Sequence, residues 1–386
     1  MSITVALPRI MEIGAGAINN LPGIVKSLGG SKPLIITDKM MVKLGYIQNI
    51  QALLSEEGLE SDVFDGTEPE PTAASIEAGL TCVLDNQYDV IIALGGGSPI
   101  DSAKAIAILG KYGGNIRDYK FPRQVNEIGI PLIAIPTTAG TGSEVTRFTI
   151  ITDEKNDEKM LCAGIGFMPL AAIIDVNLTL SLPPRITADT GIDALTHAIE
   201  AYVSQKASPF SDSQALSAMR LIAPHLKRAY TDGSDTEARE AMMLGSTLAG
   251  IAFSSASVAL VHGMSRPIGA FFHVPHGLSN AMLLPSVTAF SIPSAPERYA
   301  DCARAMGVAD ADDSSEQANQ KLLQALEAFN RELQVPTLAG FGADKTRFDS
   351  LVKTMAEQAL ASGSPGNNPR VPSVEEIIII YQQLWT

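Results

Sequence analysis

Short apolar runs alternate with helical stretches along the first 180 residues of this 386-residue chain, and this alternation limits the fold most. Three runs, at residues 33–37, 89–94 and 131–136, are rich in β-branched residues and bounded by glycine or proline, which is typical of buried strands. Helical stretches at 40–57 and 72–86 lie between them. This order predicts a parallel sheet with helices on both faces.

After residue 182 the pattern changes to long helical stretches without clear strand signals. These stretches cover residues 188–204, 211–230, 236–252, 295–306 and 316–332. We therefore predict a Rossmann-like α/β domain over residues 1–182 and an all-helical domain over residues 183–386. In the tail, Ser373 as N-cap, with Glu375 and Glu376 after it, favours a helix for the run of four isoleucines.

Composition excludes several classes of protein. Asp and Glu total 42 against 28 for Lys and Arg, so a net charge of −14 makes nucleic acid and anionic membranes poor partners. The three cysteines have no short spacing and predict neither a disulfide framework nor a thiolate zinc site. With no apolar run of about 18 residues and no recognisable signal peptide, we expect a cytoplasmic protein.

A glycine-rich turn follows the second predicted strand, in YDVIIALGGGSPIDSAK. We expect a helix to begin there, with Ser98 as its N-cap and Pro99 at its first position. Gly95, Gly96 and Gly97 let a ligand approach the backbone closely, and the free N–H groups of the helix start attract a phosphate. The other interpretation is a tight turn in which the glycines only relieve steric crowding.

A second polar loop follows the third predicted strand, in PTTAGTGSEVT at 136–146. The hydroxyls of Thr137, Thr138, Thr141 and Ser143 can bond phosphate, ribose or an amide ring, or can stabilise the loop itself. Two such loops after two buried strands predict a ligand of dinucleotide size. Asp38, directly after the first predicted strand, is by itself typical of a turn or cap residue.

All five histidines lie between residues 197 and 276. Asp193 and His197 are four residues apart on a predicted helix, so they share one face and can bind one ion together. With His262 and His276 they would form a mixed oxygen and nitrogen site that suits Fe²⁺ or Zn²⁺. His276 stands in a Pro-His-Gly segment typical of a loop or helix start, and a structural histidine is the alternative at each position.

Two neighbouring residues are open to more than one interpretation. Glu200 follows His197 by three residues. Its carboxylate either forms a hydrogen bond that orients a metal ligand or lies on a solvated helix face. His225 lies in LIAPHLKRAY, apart from the other motifs, and we expect it to be structural.

Together these motifs resemble those of the iron-containing (group III) alcohol dehydrogenases, over essentially the whole chain. The resemblance rests on DGTEPEPT at 65–72, GGGSPIDSAK at 95–104, PTTAGTGSEVT at 136–146, TGIDALTHAIEAY at 190–202, the VHG and PHG histidines, and NNPR at 367–370. It implies a dehydroquinate synthase-like fold with a nucleotide-binding α/β domain, a helical metal-binding domain and an active site in the cleft between them. It also implies a homodimer or a larger homo-oligomer.

The resemblance extends to individual site residues. It assigns the metal to Asp193, His197, His262 and His276. It assigns the cofactor pyrophosphate to Gly95, Gly96, Gly97 and Ser98. It places three further features at the cofactor: Asp101, Lys159 and the loop of Thr137, Thr138, Thr141 and Ser143. It identifies Asp38 with the family acid at the adenine ribose, which is associated with NAD rather than NADP.

Two departures from the family pattern bear on function. Many members have a histidine four residues after the first VHG-type ligand, where it relays protons, and this chain has Arg266. His273 is then the candidate for the proton relay by its proximity in sequence. The common Pro-Asn-Pro-Thr segment has Glu70 in place of its asparagine, so a cofactor-side position becomes acidic.

The function implied by the resemblance is the oxidation of small primary alcohols or diols, or the reverse reduction of aldehydes. A metal ion polarises the alcohol oxygen and NAD⁺ accepts the hydride. Two alternatives remain: an NAD- and metal-binding lyase of the dehydroquinate synthase type, and a metal-binding hydrolase or sensor without redox activity. Net formation of NADH from simple alcohols would distinguish an alcohol dehydrogenase from the lyase. Binding of NAD⁺ would distinguish it from the hydrolase or sensor.

Overall fold

A computed structural model describes residues 3–156 and 158–385 of the chain. They divide into two compact units, of which one spans Val5–Leu180 and the other begins at Ser181. The sequence-based boundary at residue 182 lies two residues beyond this division.

The first unit is built on a parallel sheet of six strands in the order β1-β8-β5-β4-β2-β3, and β6 pairs with β7 in a separate antiparallel hairpin. The strands are β1 (Ile10–Ile13), β2 (Pro33–Ile36), β3 (Asp62–Phe64), β4 (Val90–Gly95), β5 (Leu132–Pro136), β6 (Phe148–Asp153), β7 (Glu158–Ala163) and β8 (Ala171–Ile174). The three strands expected from the sequence are β2, β4 and β5, and all their residues are buried.

Five helices accompany this sheet: α1 (Leu21–Ser27), α2 (Lys39–Lys43), α3 (Tyr46–Glu56), α4 (Ala73–Asn86) and α5 (Gly97–Tyr112). Successive strand residues face opposite sides, so Leu34 and Ile36 join one core with α4 and α5, while Ile35 joins another with α1 and α3. The expectation of a single helix over 40–57 is wrong, because Gly45 adopts φ 81° and separates α2 from α3.

The strand order reverses between β2 and β4. The chain leaves β2 for β3 on one side of this pair and leaves β4 for β5 on the other side. β2 and β4 pair in parallel, with Ile36 opposite Ala93, so both strands end at the same edge of the sheet. Open α/β sheets bind their ligands at such an edge, which the glycine-rich turn and Asp38 both adjoin.

The described residues of the second unit form helices and no strands. The helices are α6 (Pro184–Val203), α7 (Pro209–Thr231), α8 (Thr236–Ala256), α9 (Leu260–Phe272), α10 (His276–Ser291), α11 (Pro296–Ala305), α12 (Ser315–Glu332), α13 (Leu338–Phe341), α14 (Lys345–Ala361) and α15 (Val374–Gln383). The α/β and all-helical classes predicted from the sequence are confirmed. The C-terminal helix is confirmed as well, with Ser373 and Glu376 forming its capping box.

Helix α6 lies at the centre of the second unit and packs against α7, α8 and α10. Glycines allow two of these close approaches. A Cβ on Gly191 would lie 2.3 Å from Cδ1 of Leu226 in α7, and a Cβ on Gly277 would lie 2.3 Å from the carbonyl oxygen of Asp189. Helix α10 therefore runs with its first turn directly against the backbone of α6.

In the described part of the chain, no single helix is long and apolar enough to cross a membrane. Helices α8 and α9 reach that length and hydropathy only as a pair, and this pair is bent by 103°.

Candidate metal and nucleotide sites

One face of α6 carries three polar side chains inside the second unit. Asp193, His197 and Glu200 follow one another at intervals of four and three residues, and each is at most 4% exposed. The alternative that Glu200 lies on a solvated helix face is therefore wrong. Buried acids and imidazoles need partners, and α9 and α10 supply them.

Asp193 lies at the centre of the histidine cluster. Its Oδ1 is 3.4 Å from Nε2 of His262, 3.7 Å from Nε2 of His276 and 3.9 Å from Nε2 of His197. The ligand atoms of Asp193, His262 and His276 all lie within 4.8 Å of one another. His197 borders this group, and its ring stacks on His262 with the ring centroids 4.4 Å apart. The structure thus brings all four predicted metal ligands to one place.

Two of these histidines are held in place by the first turns of helices. His262 lies in the first turn of α9, and His276 is the first residue of α10, directly after Pro275 as its N-cap. Of the two alternatives for His276, a loop or a helix start, the structure shows the helix start. Gly277 lets this turn reach the backbone of α6, because any larger residue would collide with Asp189.

Glu200 orients His262 from the side away from Asp193. Its Oε2 lies 2.6 Å from Nδ1 of His262, and it also accepts the backbone N–H of Ala259 at 2.9 Å. A carboxylate on Nδ1 keeps the proton on that nitrogen, so the lone pair of the neutral ring is on Nε2. Nε2 is the atom of His262 that faces Asp193.

Burial and mutual attraction set the charges of the cluster. Burial alone would raise the pKa of Asp193, but positive charge on His197 and His276 outweighs it and lowers that pKa below its ordinary range. Burial disfavours a charged His262, but Glu200 and Asp193 together raise its pKa to about 9. The carboxylates of Asp193 and Glu200 therefore lie on either side of one buried imidazole, and a cation that binds Nε2 of His262 must displace the proton on that atom.

The donor set fits a transition metal. One carboxylate and up to three imidazoles suit Fe²⁺ or Zn²⁺, whereas Mg²⁺ and Ca²⁺ prefer sites made of oxygen atoms. The negative charge of Asp193 and Glu200 inside the protein also favours a divalent cation at this position.

The side chain of Asn280, which no sequence motif marked, places a buried amide among these polar groups. Nδ2 of Asn280 donates to Oδ1 of Asp193 at 2.7 Å and lies 3.2 Å from Nε2 of His262 and 3.3 Å from Nε2 of His276. Its Oδ1 is buried and makes no hydrogen bond to the residues that the structure describes. The available signal was its spacing, since Asn280 follows His276 by one helical turn.

The glycine-rich turn lies where β4 passes into α5. The helix begins at Gly97 with Gly96 as its N-cap, so the expectation of Ser98 as N-cap and Pro99 at the first position is wrong by two residues. The side chain of Ser98 instead accepts the backbone N–H of Glu70 at 3.2 Å, which ties the loop after β3 to the start of α5.

Packing explains part of the glycine pattern. A Cβ on Gly95 would lie 2.6 Å from the ring of Pro99, and Gly95 also adopts φ 145°. A Cβ on Gly97 would lie 2.8 Å from the methyl group of Thr141 in the neighbouring loop. Both glycines are thus required for steric reasons, and the free N–H groups of the helix start lie at the ligand-binding edge of the sheet.

The hydroxyl loop after β5 has both free and engaged groups. Oγ1 of Thr137 is buried without a hydrogen-bond partner in the described residues, and a Cβ on Gly96 would lie 3.4 Å from Thr138. Oγ1 of Thr141 instead accepts the N–H of Ser143 at 3.2 Å. The loop therefore packs directly on the glycine-rich turn.

Asp101 and Ser143 bond to each other inside the unit. Ser143 donates to Oδ1 of Asp101 at 2.6 Å, and Oδ2 of Asp101 accepts the N–H of Ile150 at 2.9 Å. The buried ammonium of Lys104, which the sequence analysis missed, donates to Ser143 at 2.8 Å and to the carbonyl of Phe148 at 2.7 Å. Burial lowers the pKa of Lys104 to about 8. This network holds the hydroxyl loop against α5.

Two predicted cofactor residues already have partners in the protein. Oδ1 of Asp38 accepts the N–H groups of Met40 and Met41 at 2.8 and 3.0 Å, so Asp38 caps α2. Nζ of Lys159 lies 2.8 Å from Oε1 of Glu70, the acid that replaces the family asparagine. The side chain of Lys159 is 9% exposed and that of Glu70 is 39% exposed.

The residues considered for proton transfer lie on α9 and at its end. Arg266 is partly buried one turn after His262, and burial lowers the pKa of its guanidinium. His273 is the exposed C-cap of α9 with φ 54°. His225 is distant from the cluster in sequence, and its Nδ1 lies 2.8 Å from the carbonyl oxygen of Leu221 within α7.

Comparison with known proteins matches both halves of the chain to one family. Residues 8–176 match the family model described as iron-containing alcohol dehydrogenase, and residues 187–385 match the model of the C-terminal part of that family. Long-chain-alcohol dehydrogenase 1 of Geobacillus thermodenitrificans is 41% identical over 358 residues, which cover 92% of this chain and 90% of that protein.

Solved structures agree over the full length. A 1,3-propanediol oxidoreductase structure has a TM-score of 0.95 at 35% identity and covers 100% of both chains. Sulfoacetaldehyde reductase from Bifidobacterium kashiwanohense, solved in complex with NAD⁺, has a TM-score of 0.89 at 28% identity and covers 100% of this chain and 99% of that one.

The fold and the carboxylate–imidazole cluster fit an oxidoreductase that binds a nucleotide at the edge of its parallel sheet and a metal ion in its helical unit. The chain belongs to the iron-containing alcohol dehydrogenase family.

Proposed function

We propose that this enzyme is an NAD(H)-dependent alcohol dehydrogenase and aldehyde reductase that acts on small primary alcohols or diols. The observation that carries the proposal is the approach of Asp193, His262 and His276, whose ligand atoms lie within 4.8 Å of one another inside the helical unit. A set of one carboxylate and several imidazoles suits Fe²⁺ or Zn²⁺.

In the proposed site Asp193, His197, His262 and His276 hold one Fe²⁺ or Zn²⁺ per chain. When bound, that ion supplies Lewis-acid polarisation of the alcohol oxygen and lowers its pKa. Glu200 fixes the tautomer of His262 and keeps its Nε2 available as a donor. The buried setting strengthens each of these interactions, because the local dielectric constant is low.

The proposed cofactor site is the edge of the sheet at β2, β4 and β5. The N–H groups at the start of α5, beside Gly96 and Gly97, bind the pyrophosphate, and the unpartnered Oγ1 of Thr137 donates to the cofactor. Asp38 accepts its two cap bonds on Oδ1, and we assign Oδ2 to the adenine ribose. A carboxylate there repels a 2′-phosphate, so we expect NAD rather than NADP.

Residues of the loop network have two kinds of role in this proposal. Ser98, Thr138 and Thr141 contact the cofactor in this proposal, because the hydroxyls of Ser98 and Thr141, which accept the N–H groups of Glu70 and Ser143, still have a hydrogen to donate. Asp101 and Ser143 hold the loop through their mutual hydrogen bond, because their polar atoms are already engaged.

Proton transfer during the reaction is assigned to His273, because an arginine does not give up its proton in proteins. Arg266 then contributes positive charge and hydrogen-bond donors on the face of α9 that also carries His262. We further expect a homodimer or a larger homo-oligomer, as the family resemblance implies.

A direct assay tests this function. Enzyme stripped of metal and reloaded with Fe²⁺ or Zn²⁺ is given NAD⁺ or NADP⁺ with a panel of short alcohols, diols and aldehydes. We expect metal-dependent NADH formation from at least one primary alcohol and a preference for NAD⁺. Full activity in verified metal-free enzyme contradicts the metal role. Absence of NAD⁺ binding by titration instead favours a hydrolase or sensor, and NAD⁺ binding without net NADH favours a lyase.

A further inference from the structure

We propose that Asn280 is an additional ligand of the metal site, and that its side-chain amide turns by half a rotation so that Oδ1 faces a bound cation. The inference rests on the proposed metal site, but it concerns a residue outside the set of Asp193 and the three histidines. Its starting point is the position of the amide among the ligand atoms.

The amide nitrogen of Asn280 occupies the space that a cation needs. Nδ2 lies 2.7 Å from Oδ1 of Asp193, 3.2 Å from Nε2 of His262 and 3.3 Å from Nε2 of His276. Ligand bonds of Fe²⁺ or Zn²⁺ to these donors are about 2.0–2.2 Å long. A cation bonded to all three atoms would therefore lie roughly 2 Å from the present position of Nδ2.

A nitrogen with two hydrogens cannot stay at that distance from a cation. One of its N–H groups now donates to Oδ1 of Asp193, an atom that the cation would use, and the positive end of this group would face a positive ion. The carbonyl oxygen of the same amide has the opposite polarity and is a common ligand for hard and intermediate cations. A half-turn of the amide about χ2 exchanges the two atoms with little change in the volume of the side chain.

The oxygen of Asn280 is available for this role. Oδ1 makes no hydrogen bond to any described residue. Water cannot supply the missing bond from the surface, because Asn280 is 0% exposed. Buried polar atoms without a partner are rare in folded proteins and ask for an explanation. A cation supplies the missing partner once the amide has turned.

The backbone holds Asn280 in reach of the site. It follows His276 by four residues on α10, so both side chains lie on the same face of one helix. Because α10 begins against the backbone of α6, Asn280 and Asp193 stay close without a mobile loop. The amide therefore has to turn, because it has no open space into which it could withdraw.

The experiment uses Co²⁺ as the probe, because its visible absorption reports the number of ligands. Full-length metal-free wild type, Asn280→Leu and Asn280→Asp are titrated with Co²⁺ and their spectra recorded. We expect Asn280→Leu to bind Co²⁺ at least tenfold more weakly and to absorb more strongly in the visible region, because it loses one oxygen ligand. Asn280→Asp keeps an oxygen at this position and is expected to restore the weaker wild-type absorption.

Asn319 provides the matched control. It is also a buried asparagine of the helical unit with an unpartnered Oδ1, but it lies on α12 and bonds to Pro296. Asn319→Leu is expected to leave Co²⁺ affinity and spectrum unchanged. Thermal melting of each metal-free variant separates loss of binding from loss of folding. If Asn280→Leu does not fold, the spectrum of Asn280→Asp decides.

Two results would overturn the proposal. One is an Asn280→Leu protein that binds Co²⁺ with the wild-type affinity and spectrum. The other is an Asn280→Asp protein whose absorption intensifies as expected for the loss of a ligand. If wild type itself binds no Co²⁺, the proposed function fails. This outcome differs from a failure of the Asn280 proposal, in which wild type binds Co²⁺ and Asn280→Leu binds it equally well.

Discussion

Oε2 of Glu200 lies 2.6 Å from Nδ1 of His262, and the two residues are 62 positions apart in the chain. This contact makes Glu200 the residue that decides which nitrogen of His262 carries the proton. Glu200→Gln can place an amide N–H against Nδ1 and so move the ring proton to Nε2. We expect metal affinity to fall by about 10–100-fold, as is usual when the partner of a metal-bound histidine is lost.

Metal titration of Glu200→Gln and of a control measures this effect. Glu237→Gln is a suitable control, because Glu237 pairs with Arg228 at the protein surface and its side chain is 76% exposed. An unchanged dissociation constant in Glu200→Gln would show that the contact with His262 does not set the tautomer.

Gly277 tests the close approach of α10 to α6. In Gly277→Ala the new methyl group would lie 2.3 Å from the carbonyl oxygen of Asp189, so the helix start must shift and carry His276 with it. We expect a loss of about 1–3 kcal/mol in the free energy of unfolding and weaker metal binding. Gly366→Ala, where no atom lies within 4 Å, should change neither quantity. Denaturant unfolding of both variants distinguishes the two sites.

The pair of Glu70 and Lys159 affects cofactor binding in our account. In Glu70→Asn, which restores the family residue, Lys159 loses its carboxylate partner at 2.8 Å and becomes available to the phosphates of the cofactor. Because the pair is partly exposed, we expect NADH to bind only about 2–5-fold more tightly. Fluorescence titration measures this change.

A double-mutant cycle shows whether the gain depends on the lysine. In a Lys159→Met background, Glu70→Asn should have no further effect on NADH affinity. Glu158→Gln, which breaks the neighbouring pair with Lys120, is the control for a general change in surface charge. Equal gains with and without Lys159 would disprove its role at the cofactor.

Asp153 stabilises the end of β6 in a pH-dependent way. A hydrogen bond from Arg117 holds the pKa of this carboxyl at about 2, below its ordinary value of 3.8. Its stabilisation is therefore complete above pH 3.8 and is lost as the pH falls through about 2. Asp153→Asn should cost about 1–2 kcal/mol at pH 7. Urea unfolding at several pH values should show the difference from wild type shrinking below pH 4.

A pH profile tests the proposed role of His273 in proton transfer. We expect the pH profile of kcat/KM to differ between His273→Ala and wild type, because a residue that relays protons changes its protonation state during the reaction. His225→Ala, which removes an imidazole bonded within α7, is the control. An unchanged profile in His273→Ala removes the residue from the mechanism.

The sequence was sufficient for features that depend on local periodicity. Asp193 and His197 could be placed on one face because they are four residues apart on a helix. Strands β2, β4 and β5 were found because each is buried on both faces of the sheet and is therefore continuously apolar. The edge strands β1 and β3 are short and partly exposed, and they were not predicted. Strand β8 was not predicted either, although its four residues are buried.

Helices α9 and α10 were not predicted although they carry two of the proposed metal ligands. Each contains an internal proline, Pro267 and Pro285, and the segment is also rich in glycine. These residues are typical of loops, and tertiary packing overrides that preference here. Contacts such as that of Asn280 with Asp193, 87 residues apart, depend on this packing and cannot be read from spacing.

The central claim is that the cluster around Asp193 binds one cation that the reaction requires. The most direct measurement combines metal analysis with NADH formation as Fe²⁺ is titrated into metal-free enzyme, for wild type and for Asp193→Asn. We predict that wild-type activity rises in proportion to bound metal and saturates at one ion per chain, and that Asp193→Asn binds little metal and forms little NADH. Full NADH formation in either protein without bound metal would contradict the account.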